Sequence, residues 1–365
     1  MTNQQDLVSL ERRVVKISKI LLLLMCIVFA KVCFAIDDNM LYTAFIPVSS
    51  QSSNDRAQVL PQALAQVLIK VSGNRSVTSL PRVQDELSNA TQLVQAYRYQ
   101  KRATSGDHAY ELIVDFDKNS VDRILKTNHQ AIWGNDRPQL LFWVAEQESD
   151  QPALLGNDID THIFDVIKTT AQLRGIPITS PLYDLNDLSE LSAQDIIKQN
   201  EPNILSASQR YPHNGVVTLV LLKNDGRWHG KFVLDINGSQ IQFSKSGDTT
   251  TKVINAGINQ LADDLAAQYS VLAINHETGH TYQIEIYGVK SADDFMKVNQ
   301  YLKHLTSVQS VTVQQVYPDH VIFSIQISGD KQLLTQAIAI DNVLLPETSI
   351  NTNNTEMLVY RVKSA

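Results

Sequence analysis

Two hydrophobic periods alternate along this chain, and the switches between them mark out its elements. Leu41 to Val48 alternates apolar and polar residues and predicts a strand, followed by a turn and helix cap in Gln51-Ser52-Ser53-Asn54-Asp55. From Arg56 onward Val59, Leu60, Ala63, Leu64, Val67, Leu68 and Val71 recur at helical spacing. Ser72-Gly73-Asn74 stops that helix where a left-handed residue is needed. Pro81 to Ala96 predicts a second helix with Val83, Leu87, Ala90 and Val94 on one face. Tyr97-Arg98-Tyr99 and Tyr110 to Phe116 read as a strand pair across Ser105-Gly106-Asp107, and Asp117 to Thr127 as a third helix packing Val121, Ile124 and Leu125.

A second segment opens with a strand at Gln139 to Ala145, then an amphipathic helix at His162 to Arg174 closed by Gly175, and a short strand at Ile176-Pro177-Ile178. Three strands follow at Gly215 to Leu222, Gly230 to Ile236 and Gln240 to Ser244. They are separated by Asn224-Asp225-Gly226 and Asn237-Gly238, which are strong hairpin signals. Thr249 to Leu272 predicts a long helix. The third segment gives a strand at Tyr282 to Val289 and a helix at Ser291 to Leu305 with Ser291 as cap and Asp294 at its third position. A hairpin, Val308 to Val316 and His320 to Ile327, turns at Tyr317-Pro318-Asp319. A helix at Asp330 to Ala339 and a strand at Met357 to Val362 complete the order β-α-β-β-α-β, which is the ferredoxin-like split unit. The expected fold class is therefore modular α+β, with three small mixed domains: residues 36–134, 135–278 and a ferredoxin-like 279–365.

Residues 1–35 stand apart. Arg12, Arg13, Lys16 and Lys19 precede the apolar run Ile20 to Ala30, and Cys33 and Ala35 supply the small residues that a signal peptidase reads. The apolar run is about 11 residues, against roughly 20 for a membrane-spanning helix. A removable export signal with cleavage after Ala35 is expected, and Lys31 keeps an uncleaved N-terminal anchor open as the alternative. Both cysteines, Cys26 and Cys33, fall inside this segment, and neither sits in a lipoprotein box. The mature chain then carries no thiol, disulfide or cysteine-ligated metal. Removing five Lys/Arg and two Asp/Glu leaves 26 basic and 36 acidic residues, a net charge of −10. That balance argues against nucleic acid as a partner. No later apolar run is long enough to cross a bilayer.

Several of these features occur together in a known pattern. Tyr42 and Pro47-Val48 in the first strand, Arg56 opening a helix, Val71-Ser72-Gly73 closing it, Tyr97 and Tyr99, and Phe116-Asp117 are joined by Trp133-Gly134-Asn135-Asp136-Arg137-Pro138 leading into Leu141-Phe142-Trp143. This set resembles a proteobacterial family of secreted proteins called domain of unknown function 2066, over most of the mature chain. The resemblance implies an envelope location, most simply periplasmic, and brings no catalytic residues. The first helix with its terminal Ser-Gly is also similar to small N-terminal domains of flagellar-ring and curli-secretion accessories, at the level of fold only.

The sharpest chemical motif is His276-Glu277-Thr278-Gly279-His280. In zinc proteases two histidines four residues apart on one helical face grip the metal, and the glutamate between them activates its water. Gly279 costs about 1 kcal/mol in a helix interior, and Asn275 and Thr278 add to that. A third ligand is not evident: Glu285 falls in a strand and Asp293 and Asp294 in a helix start. The motif reads better as an inter-domain loop, with a zinc metallopeptidase of His276, Glu277 and His280 as the alternative.

Trp133, Arg137 and Trp143 form either a ligand-binding surface or a domain junction, and the junction is favoured, with Trp133 plugging between domains. Arg56 beside Asp55 reads as a solvated helix start, and Asp158, Asp160 and Asp165 lack the spacing of a calcium loop. Asp184, Asp187 and Glu190 read as a solvated acidic surface, and the Leu185/Leu188/Leu191 stripe as core. Phosphate loops and nucleophile elbows are absent from the sequence.

The expected function is non-enzymatic: a periplasmic module that binds another envelope protein or envelope component, with no cofactor. A small-ligand binder using a cleft between domains is the third possibility. The export expectation is directly measurable: mass spectrometry of the mature protein should give an N-terminus at Ile36, and an intact Met1 on a membrane-bound form would refute it.

Overall fold

The computed structural model describes residues 40–102, 109–148, 151–156, 161–272, 280–341, 343–347 and 357–363. The expected signal and its cleavage point lie outside them. In the first segment the strand β1 (Thr43–Val48) leads into helix α1 (Ser53–Ser72), then α2 (Pro81–Ser88), β2 (Val94–Lys101), β3 (Tyr110–Phe116) and α3 (Lys118–Thr127). The sheet is antiparallel in the order β1-β3-β2. The apolar stripe of α1, from Leu60 to Val71, packs on Ala44, Ile46, Leu112, Val114 and Phe116. Ser52 caps α1 by accepting from the Asp55 amide, and Gly73 ends it at φ 69°.

The second helix is shorter than its periodicity predicts. It stops at Ser88, a 3-10 turn covers Ala90–Leu93, and β2 begins at Val94. Ser88 and Asn89 turn their side chains back onto the Gln84 and Asp85 carbonyls, which ends the helix and frees the next residues to pair with β3.

The middle segment contains β4 (Ala131–Ile132), β5 (Leu140–Gln147), β6 (Ala153–Leu154), α4 (Thr161–Arg174), β7 (Ile178–Thr179), α5 (Leu185–Glu190), α6 (Ala193–Lys198) and α7 (Glu201–Ser208). It continues with β8 (Gly215–Asn224), β9 (Arg227–Ile236), β10 (Ser239–Gly247), α8 (Thr250–Tyr269) and β11 (Val271–Leu272). Its main sheet runs β10-β9-β8-β5-β6, with β5 parallel to β8 and the short β7 also on β5. Phe142, Val144, Val217, Leu219, Phe232 and Leu234 face α4 and α8. Leu141, Trp143, Ala145, Val216 and Val220 face α6 and α7. Burial on both faces is why β5 reads as the unbroken apolar run Leu140 to Ala145. Both hairpin turns have two residues at positive φ, Asp225-Gly226 and Asn237-Gly238, as a type I′ turn requires. The long helix ends at Tyr269 rather than Leu272, because Val271 and Leu272 leave it to pair with Ala131 and Ile132 of the first segment's exit.

The third segment holds β12 (His280–Tyr287), α9 (Ala292–His304), β13 (Val308–Val316), β14 (His320–Ile327), α10 (Lys331–Asp341), β15 (Leu344–Pro346) and β16 (Met357–Val362). The capping box of Ser291 and Asp294 is present. The sheet order is β13-β14-β12-β16-β15. The β-α-β-β-α-β framework thus gains one strand: β15 takes the outer position, and β16 returns antiparallel to it and parallel to β12. Three residues are too few to show alternation, so β15 left no signal in the sequence.

Each segment has its own core, yet Asn39–Ala365 is one compact unit. The middle core includes Trp133 from the first segment's exit and Ile340 from α10. Modular α+β is the architecture. Among the described residues no helix is long and apolar enough to cross a membrane.

Candidate functional site

The stretch Trp133 to Arg137 joins all three segments. The Trp133 amide donates to the Val71 carbonyl at the end of α1, at 2.7 Å. The Arg137 guanidinium lies 3.9 Å over the Trp133 ring and donates to the carbonyls of Lys70 (2.8 Å), Arg174 (2.9 Å), Gly175 (3.2 Å) and Gly134 (2.8 Å), and to Trp133 itself. Lys70 and Arg174 lie in the last turns of α1 and α4, whose carbonyl ends carry partial negative charge. One cation therefore satisfies two helix C-termini from different segments. Asp136 accepts from the Thr306 amide at 2.6 Å, and Gly134 lies so close to Thr306 that a Cβ would sit 2.1 Å from its hydroxyl. The third segment is tied in through those contacts.

Arg174 reinforces the joint from the other side. It donates to the Gly73 carbonyl at 2.8 Å, to Asp263 at 2.7 Å and to Asn259, so the end of α4 is bonded to the cap of α1 and to α8. Lys70, also buried, donates to the carbonyls of Met40 and Thr43. Burial, with the neighbouring Arg137 charge second, pulls the Lys70 ammonium down to about 8. Burial likewise lowers Arg137, to about 9, and it stays charged at neutral pH with its protons committed to carbonyls. Burial raises the Asp136 carboxyl against the Thr306 bond that lowers it. Trp133 and Arg137 therefore form a buried junction and offer no surface to a ligand. An open cleft of about 610 Å³ runs beside it, lined by Gly73, Arg75, Gln130 and Asp263 and crossed by the Arg75–Asp263 ion pair.

Trp143 is not part of this cluster. It lies on the opposite face of the sheet, donates to the Ser208 hydroxyl at 2.9 Å and meets Tyr183 and Tyr211 edge-on. These rings support a polar network under α5. The Asp187 carboxylate is buried and accepts from the Tyr183 amide (2.8 Å), the Tyr211 hydroxyl (2.5 Å) and Arg210 (3.0 Å). Arg210 also grips Asp184, holding that carboxyl down at about 2. Burial and the bond to Asp187 push Tyr211 up to about 12. Tyr183 adopts φ 55°, which is costly for a bulky residue, and packs so tightly on Gly156 that a Cβ there would come within 2.8 Å.

Two expectations are corrected here. Asp187 does not belong to a solvated acidic surface, and of Leu185, Leu188 and Leu191 only Leu191 is in the core. On the six-residue α5 the leucines and Asp187 point to opposite sides, and the inward side is taken by Asp187 because its carboxylate is fully bonded. Leu182, Leu185 and Leu188 consequently stand out at 66%, 84% and 53% exposure. Neither Asp187 nor Arg210 carried a sequence signal as a pair, being 23 residues apart. Lys70 did carry one, since it falls three residues after Val67 on the apolar face of α1.

Most of the His-Glu-x-x-His stretch, including His276 and Glu277, lies outside the described residues. His280 is exposed in strand β12, so its backbone does not continue a zinc-binding helix. Among the described residues no group of three or more His, Cys, Asp or Glu is placed to hold a metal. Asp158 and Asp160 also lie outside the described residues.

Comparison with known proteins corrects the resemblance drawn from the sequence. The family model that matches is a different one, Domain of unknown function (DUF8605), over residues 35–134, so the likeness to domain of unknown function 2066 does not hold. The residues that suggested it include the Gly73 and Asp117 caps, core positions such as Tyr42, Val71 and Phe116, the Trp133–Arg137 junction, and a surface cluster in which Arg56 lies 4.3 Å over the Tyr97 ring and donates to the Tyr99 hydroxyl. No curated protein matches the chain. Among solved structures, the Thermus thermophilus Protein Y N-terminal domain is 15% identical, covering 21% of this chain and 87% of its own, with a TM-score of 0.15. An uncharacterized protein is 16% identical, covering 36% of this chain and 91% of its own, with a TM-score of 0.18. Similarity at that level carries no argument.

Two measurements test the junction. Arg137→Met should lower the free energy of unfolding by about 3 kcal/mol or more in urea titrations, because it strands buried carbonyls. Arg137→Lys should recover only part of this, since one ammonium cannot reach every acceptor. For Lys70, the unfolded chain keeps its proton to about pH 10 while the folded chain releases it at about 8. Between these values the unfolded state binds more protons, so stability rises with pH, by on the order of 3 kcal/mol. In Lys70→Met that rise should be missing from the pH dependence of unfolding between about pH 8 and 9, below the range in which Arg137 adds a rise of its own.

Proposed function

We propose that this chain is an exported, non-enzymatic binding module, held rigid by its central junction, that engages a protein partner in the periplasm through Leu182, Leu185 and Leu188. The observation that carries this reading is the outward display of three leucines within seven residues over a fully bonded, strained support. Contiguous exposed apolar surface on a rigid element is the usual mark of a protein interface. Asp184 and Glu190 flank the leucines, which disfavours an anionic membrane surface as the occupant and suits a protein groove that accepts apolar side chains. Export is supported by the basic, apolar and small-residue pattern of residues 1–35.

A photo-reactive residue at position 185 should yield one discrete protein adduct in cells, and one placed at the Asp225 hairpin tip should not. Leu185→Ala should weaken binding of the captured partner by about tenfold and leave thermal stability within about 0.5 kcal/mol. Absence of an adduct at 185, or adducts to lipid alone, would overturn the proposal.

A further inference from the structure

Edge strands expose unpaired backbone groups, and proteins blunt them with charge, proline or brevity. Most exposed edges among the described strands follow this rule: β1 carries Pro47, β2 carries Arg98 and Lys101, β10 carries Lys245, and β15 is three residues long. The outer strand of the third sheet, β13, does not. It is nine residues long, paired in the sheet with β14 alone, and contains neither a charge nor a proline.

Its sequence, Val308-Gln309-Ser310-Val311-Thr312-Val313-Gln314-Gln315-Val316, reads nearly the same in both directions about Thr312, with Ser310/Gln314 the one mismatch. The valines keep this symmetry in the register, while its two irregularities, at Gln309 and Gln314, fall one residue out of it. These irregularities in the pairing with β14 place Val308, Val311, Val313 and Val316 opposite the core residues Ile327, Ile325, Phe323 and Val321, so all four valines lie on the helix-covered side. Val313 and Val316 remain 38% and 67% exposed there.

We infer that β13 pairs antiparallel with β13 of a second copy of this chain, on a twofold axis through Thr312. The axis sets Val311 against Val313 and Val308 against Val316 of the second copy, with Thr312 facing itself. The four valines of each strand then form a continuous apolar row on one side of a ten-stranded sheet. Residues directly opposite in such a pair have Cβ atoms about 5 Å apart, where apolar and Thr–Thr contacts are favourable. The absence of charge along the strand removes the like-charge repulsion that a twofold axis imposes on any charged edge. A strand-only contact falls below the roughly 1,200 Å² of standard interfaces, so the dimer is a concentration-dependent one.

Sedimentation of the purified protein over roughly 1–200 μM, bracketing micromolar affinities, should show a reversible monomer–dimer equilibrium. Thr312→Lys, which places two ammonium groups face to face, should raise the dissociation constant at least about tenfold. Thr312→Cys should give a covalent dimer with a short thiol crosslinker, while Asp225→Cys, on a distant hairpin tip, should not. The crosslink keeps the test decisive if Thr312→Lys fails to fold. A protein that stays monomeric across the range, or a dimer that neither crosslinks at position 312 nor weakens with Thr312→Lys, would overturn the inference.

Discussion

The structure depends on one cation shared between two helix ends. Arg137 fills the gap between the C-terminal carbonyls of α1 and α4, and its flat guanidinium lies on Trp133. A guanidinium suits this position because it presents several fixed donors and stacks on an aromatic plane; an ammonium does neither as well. Every donor is consumed by a carbonyl, so a buried charge that would otherwise be costly becomes the fixed point from which the segments are oriented. Asp136 and Gly134, the residues beside it, contact Thr306, which brings the third segment to the same point.

The two features proposed to act on partners lie away from that joint. The leucines of α5 and its approach are carried by the middle segment, on a support in which a buried carboxylate, an arginine and two tyrosines satisfy one another. The edge of β13 belongs to the third segment, at the outer limit of its sheet. In both cases polar bonding or sheet pairing is completed on the inner side, and apolar side chains are left on the outer one. The Trp133–Arg137 junction lies between the segments that carry these two proposed surfaces.

Much of the fold was legible because local rules and tertiary packing agree. The stripe on α1, the Ser52 cap, the Gly73 stop, the two type I′ turns and the Ser291–Asp294 capping box each follow from residues within a few positions of one another. The failures have more than one cause. The helix after Pro81 stops early because Ser88 and Asn89 bond back to its carbonyls and pairing with β3 claims Val94 onward; β15 is too short to show a period, and β11 exists only through a partner distant in sequence. The inward turn of Asp187 depends on Arg210 and Tyr211, more than 20 residues later.

The sequence by itself determined the α+β class, most elements, and the importance of the stretch from Trp133 to Arg137. These are short-range properties: a periodicity, a cap, or an unusual density of Trp, Gly, Arg and Pro. Only the tertiary structure decided that Trp133 and Arg137 share a buried joint while Trp143 serves the opposite face of the sheet. It also decided that Leu185 and Leu188 face outward, and that four valines of β13 share one side through two pairing irregularities. Each of those outcomes is set by which partner satisfies a buried polar group or a backbone ladder, and that partner lies far along the chain, where periodicity gives no information.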